Sequence, residues 1–163
     1  MSFNIAIILF PTVFAIIAYL LGSINFAILI TRIATGEDIR SHGSKNAGMT
    51  NVMRTVGAKS GVLTLVGDAV KAVIAVSLGK FLLPFILKTL YPSNTDPLMY
   101  IYGAYLCGFF VILGHILPIY FKFKGGKGIV TIISALLVIN WKLFFVMLII
   151  WLIIFAFSKI ISL

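Results

Sequence analysis

Apolar side chains gather in five runs along the chain, over residues 3–33, 61–87, 97–120, 129–139 and 143–157, with polar or glycine-rich breaks between them. A helix rises about 1.5 Å per residue, so roughly 20 residues cross a hydrocarbon layer about 30 Å thick. In lipid, an open strand would leave its backbone N–H and C=O groups unpaired, so the runs predict helices. The first run is about ten residues longer than one span needs and carries Gly22, Ser23 and Asn25 together, which predicts a break or re-entrant bend there. The pattern thus predicts an all-α, polytopic integral membrane helix bundle of about five to six spans.

Composition strengthens this reading. Of 163 residues, 61% are hydrophobic and 10% charged, against about 45–50% and about 25% in an ordinary soluble domain. The length leaves no room for a separate soluble unit, so residues 1–163 read as a single transmembrane domain. An apolar start running to about residue 30 with no basic residue before Arg32 is unlike a secretory signal. The lone Cys107 forms no intramolecular disulfide and reads as a small core side chain.

Thirteen Lys and Arg stand against four Asp and Glu. Because aliphatic and aromatic residues crowd the stretches between basic clusters, the surplus points to anionic lipid and phosphate-bearing ligands and away from nucleic acid. Alternating five spans puts Arg32, Arg40, Lys45, Arg54, Lys59, Lys122, Lys124, Lys127 and Lys159 on one side and Lys80, Lys88 and Lys142 on the other. The positive-inside rule makes the richer side cytoplasmic and sends the N-terminus outward.

Two polar loops fall on that cytoplasmic side. Residues 40–61 read RSHGSKNAGMTNVMRTVGAKSG. Gly43 and Gly48 suit positive φ and close approach to a ligand, Ser44, Asn46, Thr50 and Asn51 can donate hydrogen bonds, and Arg54 offers a planar fork that matches phosphate. An ordinary polar loop would have a similar composition, and the second loop tips the balance. Residues 121–131, FKFKGGKGIVT, bring three lysines and three glycines in front of an apolar helix, where free N–H groups and the positive dipole end attract anions. Phe121 and Gly128 break the Walker A pattern, which argues against a nucleotide hydrolase. Topology explains Lys122 and Lys124. Lys127, with Gly125, Gly126 and Gly128, is left for a site.

Asp68 and Lys71 lie three apart on one helical face, and pairing avoids the roughly 2.5–3.5 kcal/mol that a lone charge costs at mid-membrane on insertion scales. A structural ion pair and a substrate contact are both open for them. His115 sits at the cytoplasmic end of its run, beside the lysine loop. Neither histidine begins a His-x4-Asp pair, since Ala47 follows His42 and Tyr120 follows His115 at that spacing. Two separated histidines, one cysteine and four acids form no metal-ligand spacing.

GSKNAGMTNVMR at 43–54, DIR at 38–40 and GHILPIYFKFKGGKG at 114–128 resemble the motifs of the PlsY family, bacterial acyl-phosphate:glycerol-3-phosphate acyltransferases. The resemblance implies a seven-helix enzyme of the inner membrane that moves a fatty acyl group from acyl phosphate to the first hydroxyl of glycerol 3-phosphate, giving lysophosphatidic acid without acyl-CoA, cofactor or metal. It implies catalytic roles for Ser44, Arg54 and Lys127, with Arg54 and Lys127 on glycerol 3-phosphate and Ser44, Gly48 and Thr50 on the donor phosphoryl group. Asn46, Asn51, His115, Gly125 and Gly126 join the substrate-binding set. Lys45 replaces the family's usual glycine, Asn25 its GSIP proline and Ala72 the glycine after Lys71. Family members run on through a SLAS-like motif and a final segment with functional His and Asn, so Ser162 is expected to open that motif in a chain cut short. A phosphate or organophosphate transporter is the rival reading. It requires polar residues through both halves of the membrane, whereas the polar residues here cluster on one face.

Overall fold

The computed structural model describes residues 2–94 and 96–158, and these form helices joined by turns. Ser162 and Lys159 lie outside the described residues. The first run divides as its polar residues predict: α1 covers Phe3–Ser23 and α2 covers Phe26–Thr35. At the break, the buried Asn25 side chain accepts from the Ile28 N–H at 3.1 Å and caps α2. After a short 3-10 turn at Ile39–Ser41 comes α3, Met49–Thr55.

The second run is longer than the apolar stretch that announces it, since α4, Ala58–Ser77, begins three residues before Gly61. It continues through a π turn at Leu78–Leu82 into α5, Leu83–Leu90. Pro84 has no N–H to donate to the Lys80 carbonyl, and the ladder relaxes into the wider turn, with Leu83 N–H bonding to the Leu78 carbonyl. The turn presses the Gly79 backbone against that of Gly103 in α6, Met99–Ile116, where a Cβ on either glycine would collide with the other's carbonyl. Helices α1 and α6 meet in the same manner: Gly22 faces the Val111 backbone and Gly114 the Tyr19 carbonyl. Without a hydrophobic drive between helices in lipid, such close backbone approach supplies the packing. Ala18, Ala75, Ala104, Cys107 and Val111 fill the core, and Cys107 has the small packing role expected of it.

Helix α7, Ile129–Ile139, has 11 residues, about 16 Å and well short of a full span. Lys80 donates to the carbonyls of Val138 and Ile139 at its C-terminus, so this residue of the charge count is a helix cap. Asn140 ends α7, and its side chain accepts from Leu143 N–H at the start of α8, Trp141–Ser158. Among the described residues, three stretches are long and apolar enough to cross a membrane: Phe3–Thr35, Ala58–Leu90 and Met99–Phe121. The shorter apolar helices α7 and α8 accompany them.

A candidate phosphate site between two loops

The chain between α2 and α3 folds around one side chain. Asn51 is buried, its Oδ1 accepts from Ser44 N–H at 3.0 Å, and its Nδ2 donates to the carbonyls of His42, Asn46 and Ile39 at 3.0, 3.1 and 3.3 Å. Both ends of that amide are engaged by backbone, so Asn51 shapes the loop. Its Oδ1 lies where a side chain on Gly43 would project, and Gly43 takes φ 52°. Gly48, expected to need positive φ, is extended at −154° and N-caps α3. The left-handed turn falls on Lys45, at φ 59°, the position where the resembled family carries glycine.

The second loop is bolted to the first by Arg40, which donates to the carbonyls of Phe121 and Lys124, both at 2.9 Å, while Asp38 holds the same guanidinium at 2.8–2.9 Å. Hydrogen bonding from the Arg40 side chain, with Arg32 assisting, keeps the Asp38 carboxyl well below the ordinary carboxylate range, and the Arg40 pKa is raised in return. A depressed carboxyl contributes its stability above its ordinary pKa of about 4 and loses it only as pH falls through the depressed value. The stability difference between wild type and Asp38→Asn is therefore expected to be constant from about pH 5 upward and to shrink only below about pH 4. Thermal unfolding of both proteins across that range measures it, and a difference that fades between pH 5 and 8 would contradict the clamp.

Between the loops lies a cavity of about 430 Å³. Ser44, Asn46, Gly48, Thr50, Asn51, Arg54, His115 and Lys127 line it, eight of the eleven sequence-predicted site residues, drawn from α3, α6 and both loops. Gly128 adopts a left-handed conformation, φ 77°, and turns the N-terminus of α7 toward the cavity, where Ile129 and Val130 join the lining. Met49, Leu65 and Ile133 make part of the wall apolar.

Gly125 and Gly126, expected among the substrate-binding residues, are not among those that line the cavity. Their N–H groups donate to the carbonyls of Ile116 and His115, so neither is offered to an anion. Gly126 is needed for space: a Cβ there would meet the Ala47 carbonyl and His115 Nε2.

Sequence reasoning missed two features. The Asp38–Arg40 clamp carries no periodicity or charge pattern, although DIR was visible as a motif. Lys71 was seen as the partner of Asp68, and its Nζ does lie 2.7 Å from Asp68 Oδ1. The same ammonium also reaches the Ile24 carbonyl and His115 Nδ1 from another helix.

A family model described as glycerol-3-phosphate acyltransferase matches residues 12–163. The chain is 38% identical over 144 residues to the glycerol-3-phosphate acyltransferase of Bartonella henselae, covering 88% of this chain and 63% of that relative. With the Bacillus subtilis relative of the same description it shares 38% identity over 148 residues, 91% of this chain and 68% of the other. The chain thus spans under two thirds of the Bartonella henselae protein. Its fold resembles the crystal structure of PlsY, an integral membrane glycerol 3-phosphate acyltransferase, in the glycerol 3-phosphate form, with TM-score 0.71, 32% identity, and coverage of 90% of this chain and 66% of that one. The lysophosphatidic acid form gives TM-score 0.68 at 30% identity.

Proposed function

The chain belongs to the glycerol-3-phosphate acyltransferase family of PlsY type, and from that premise we propose that it acylates the first hydroxyl of glycerol 3-phosphate with acyl phosphate as donor, releasing lysophosphatidic acid and inorganic phosphate. The observation that carries the reading is the convergence of Arg54, Lys127, Ser44 and Thr50 on one cavity that is also walled by Leu65 and Ile133. A basic, hydroxyl-lined pocket with an apolar side suits a phosphate-bearing alcohol and a donor whose chain stays in lipid.

Acyl phosphate is a mixed anhydride, and its leaving group needs no covalent enzyme intermediate. The hydroxyl oxygen of glycerol 3-phosphate bonds to the acyl carbon while the acyl carbon–phosphate oxygen bond breaks. The hydroxyl proton passes to a phosphate oxygen. What the protein supplies is placement and stabilisation of developing negative charge. Arg54 and Lys127 hold glycerol 3-phosphate, and the 44–50 loop with the α7 N-terminus receives the departing phosphate. The acyl chain enters sideways past Leu65 and Ile133. The positive-inside charge balance supports an N-terminus outside the inner membrane and a site on the cytoplasmic face. Ser162 remains a proposed substrate contact outside the described residues, and residues 1–163 are proposed to act as one domain.

Purified protein in detergent, given acyl phosphate and glycerol 3-phosphate, is expected to form lysophosphatidic acid. A transporter would form none. Lys127→Ala is expected to raise the apparent KM for glycerol 3-phosphate and to lower kcat/KM roughly ten- to hundredfold, the effect of losing one charged hydrogen bond. Wild-type kinetics in that variant would remove Lys127 from the site.

A further inference from the structure

Behind the cavity, α4 and α6 bury three titratable side chains together: Asp68, Lys71 and His115 are 2%, 4% and 3% exposed. The Lys71 ammonium is ion-paired with Asp68 Oδ1 at 2.7 Å and contacts the Ile24 carbonyl at 2.5 Å and His115 Nδ1 at 3.0 Å, and the same Asp68 oxygen lies 3.6 Å from His115 Nδ1. An ammonium only donates. With Lys71 as an ammonium, the 3.0 Å contact makes His115 Nδ1 the acceptor and puts the ring proton on Nε2. Among the described residues Nε2 makes no hydrogen bond, His115 lines the cavity, and a side chain at Gly126 would collide with Nε2.

We propose that the Asp68–Lys71 pair fixes His115 as an Nε2–H donor that binds a phosphoryl oxygen of the substrate. The inference rests on the reading of the cavity as a phosphate site. Asp68 and Lys71 are positioning residues, and His115 touches the ligand. The pairing has a second consequence. Asp68 also lines the cavity, where a lone carboxylate would repel a phosphate, and Lys71 cancels that charge at contact distance. Lys71 further holds the Ile24 carbonyl at the break between α1 and α2, so a structural contribution is present as well, and the test separates the two.

With only two histidines in the chain, His42 and His115, nitrogen-15 histidine spectra of the purified full chain resolve the tautomer, and His42→Asn assigns the signals. The expected spectrum has His115 unprotonated at Nδ1 and protonated at Nε2, and added glycerol 3-phosphate moves the Nε2 signal. A proton on Nδ1, or an Nε2 signal unmoved at saturating glycerol 3-phosphate, overturns the proposal. In steady-state assays, a glutamine amide reaches the position of Nε2 and an asparagine amide that of Nδ1. His115→Gln is expected to keep at least roughly ten times the kcat/KM of His115→Asn, the ratio set by one hydrogen bond to a charged group. Equal losses in the two variants also overturn it. Absence of lysophosphatidic acid from the wild-type protein would instead sink the acyltransferase reading, leaving the tautomer to be decided by the spectra.

Discussion

Arg54→Ala is expected to lower kcat/KM for glycerol 3-phosphate by roughly two to four orders of magnitude while leaving the fold intact. The guanidinium lines the cavity from the last turn of α3 and makes no hydrogen bond or ion pair among the described residues. Its fork is thus available to a ligand. A bidentate pair with phosphate comprises two charge-assisted hydrogen bonds, each worth about 1.5–3 kcal/mol, and about 1.4 kcal/mol is tenfold. Arg54→Lys keeps the charge and loses the planar geometry, so it should fall between wild type and Arg54→Ala. Stability should change by no more than about 0.5 kcal/mol, as for other exposed positions. An Arg54→Ala enzyme with ordinary kcat/KM would show that substrate phosphate lies elsewhere.

Asn51→Leu should cost activity by about a hundredfold or more through a different route. Leucine has a similar volume but no polar atoms. It would strand the Ser44 N–H and remove the amide's bonds to the carbonyls of Ile39, His42 and Asn46, leaving each of those carbonyls with a single backbone donor, from His42, Lys45 and Gly48. Each buried polar group left without a partner costs about 1–3 kcal/mol, and reopening the loop to water is the relief available. The loop that carries Ser44, Asn46 and Gly48 would then lose its shape, while the helix contacts through Gly22, Gly79, Gly103 and Gly114 stay in place. Limited proteolysis within residues 42–50 should accelerate in Asn51→Leu and not in Arg54→Ala. If Asn51→Leu remains active and resists protease as wild type does, the loop is organised by something other than this side chain.

The two variants also show why the site was legible to different depths. Arg54, Ser44, Thr50 and Lys127 were readable because their chemistry is intrinsic to the residue: a cation or hydroxyl in a polar loop beside an apolar helix can meet a phosphate whatever surrounds it. Asn51 looked the same in sequence, as one more amide donor, yet the folded loop turns it inward. Gly125 and Gly126 looked like an anion cradle, yet their N–H groups face the end of α6. Lys80 looked like a topological charge and caps α7.

The amino-acid pattern alone determined a helical membrane protein, the break near Asn25, and the two polar loops whose residues line the cavity, because these depend on local composition and on backbone satisfaction in lipid. The tertiary structure alone decided which polar groups face the cavity and which support it. Arg40 reaches Phe121 across 81 positions and Lys71 reaches His115 across 44. No local pattern encodes such contacts. They arise only when glycine-lined helix crossings bring the two loops to one place, and burial then forces each polar group to find a partner.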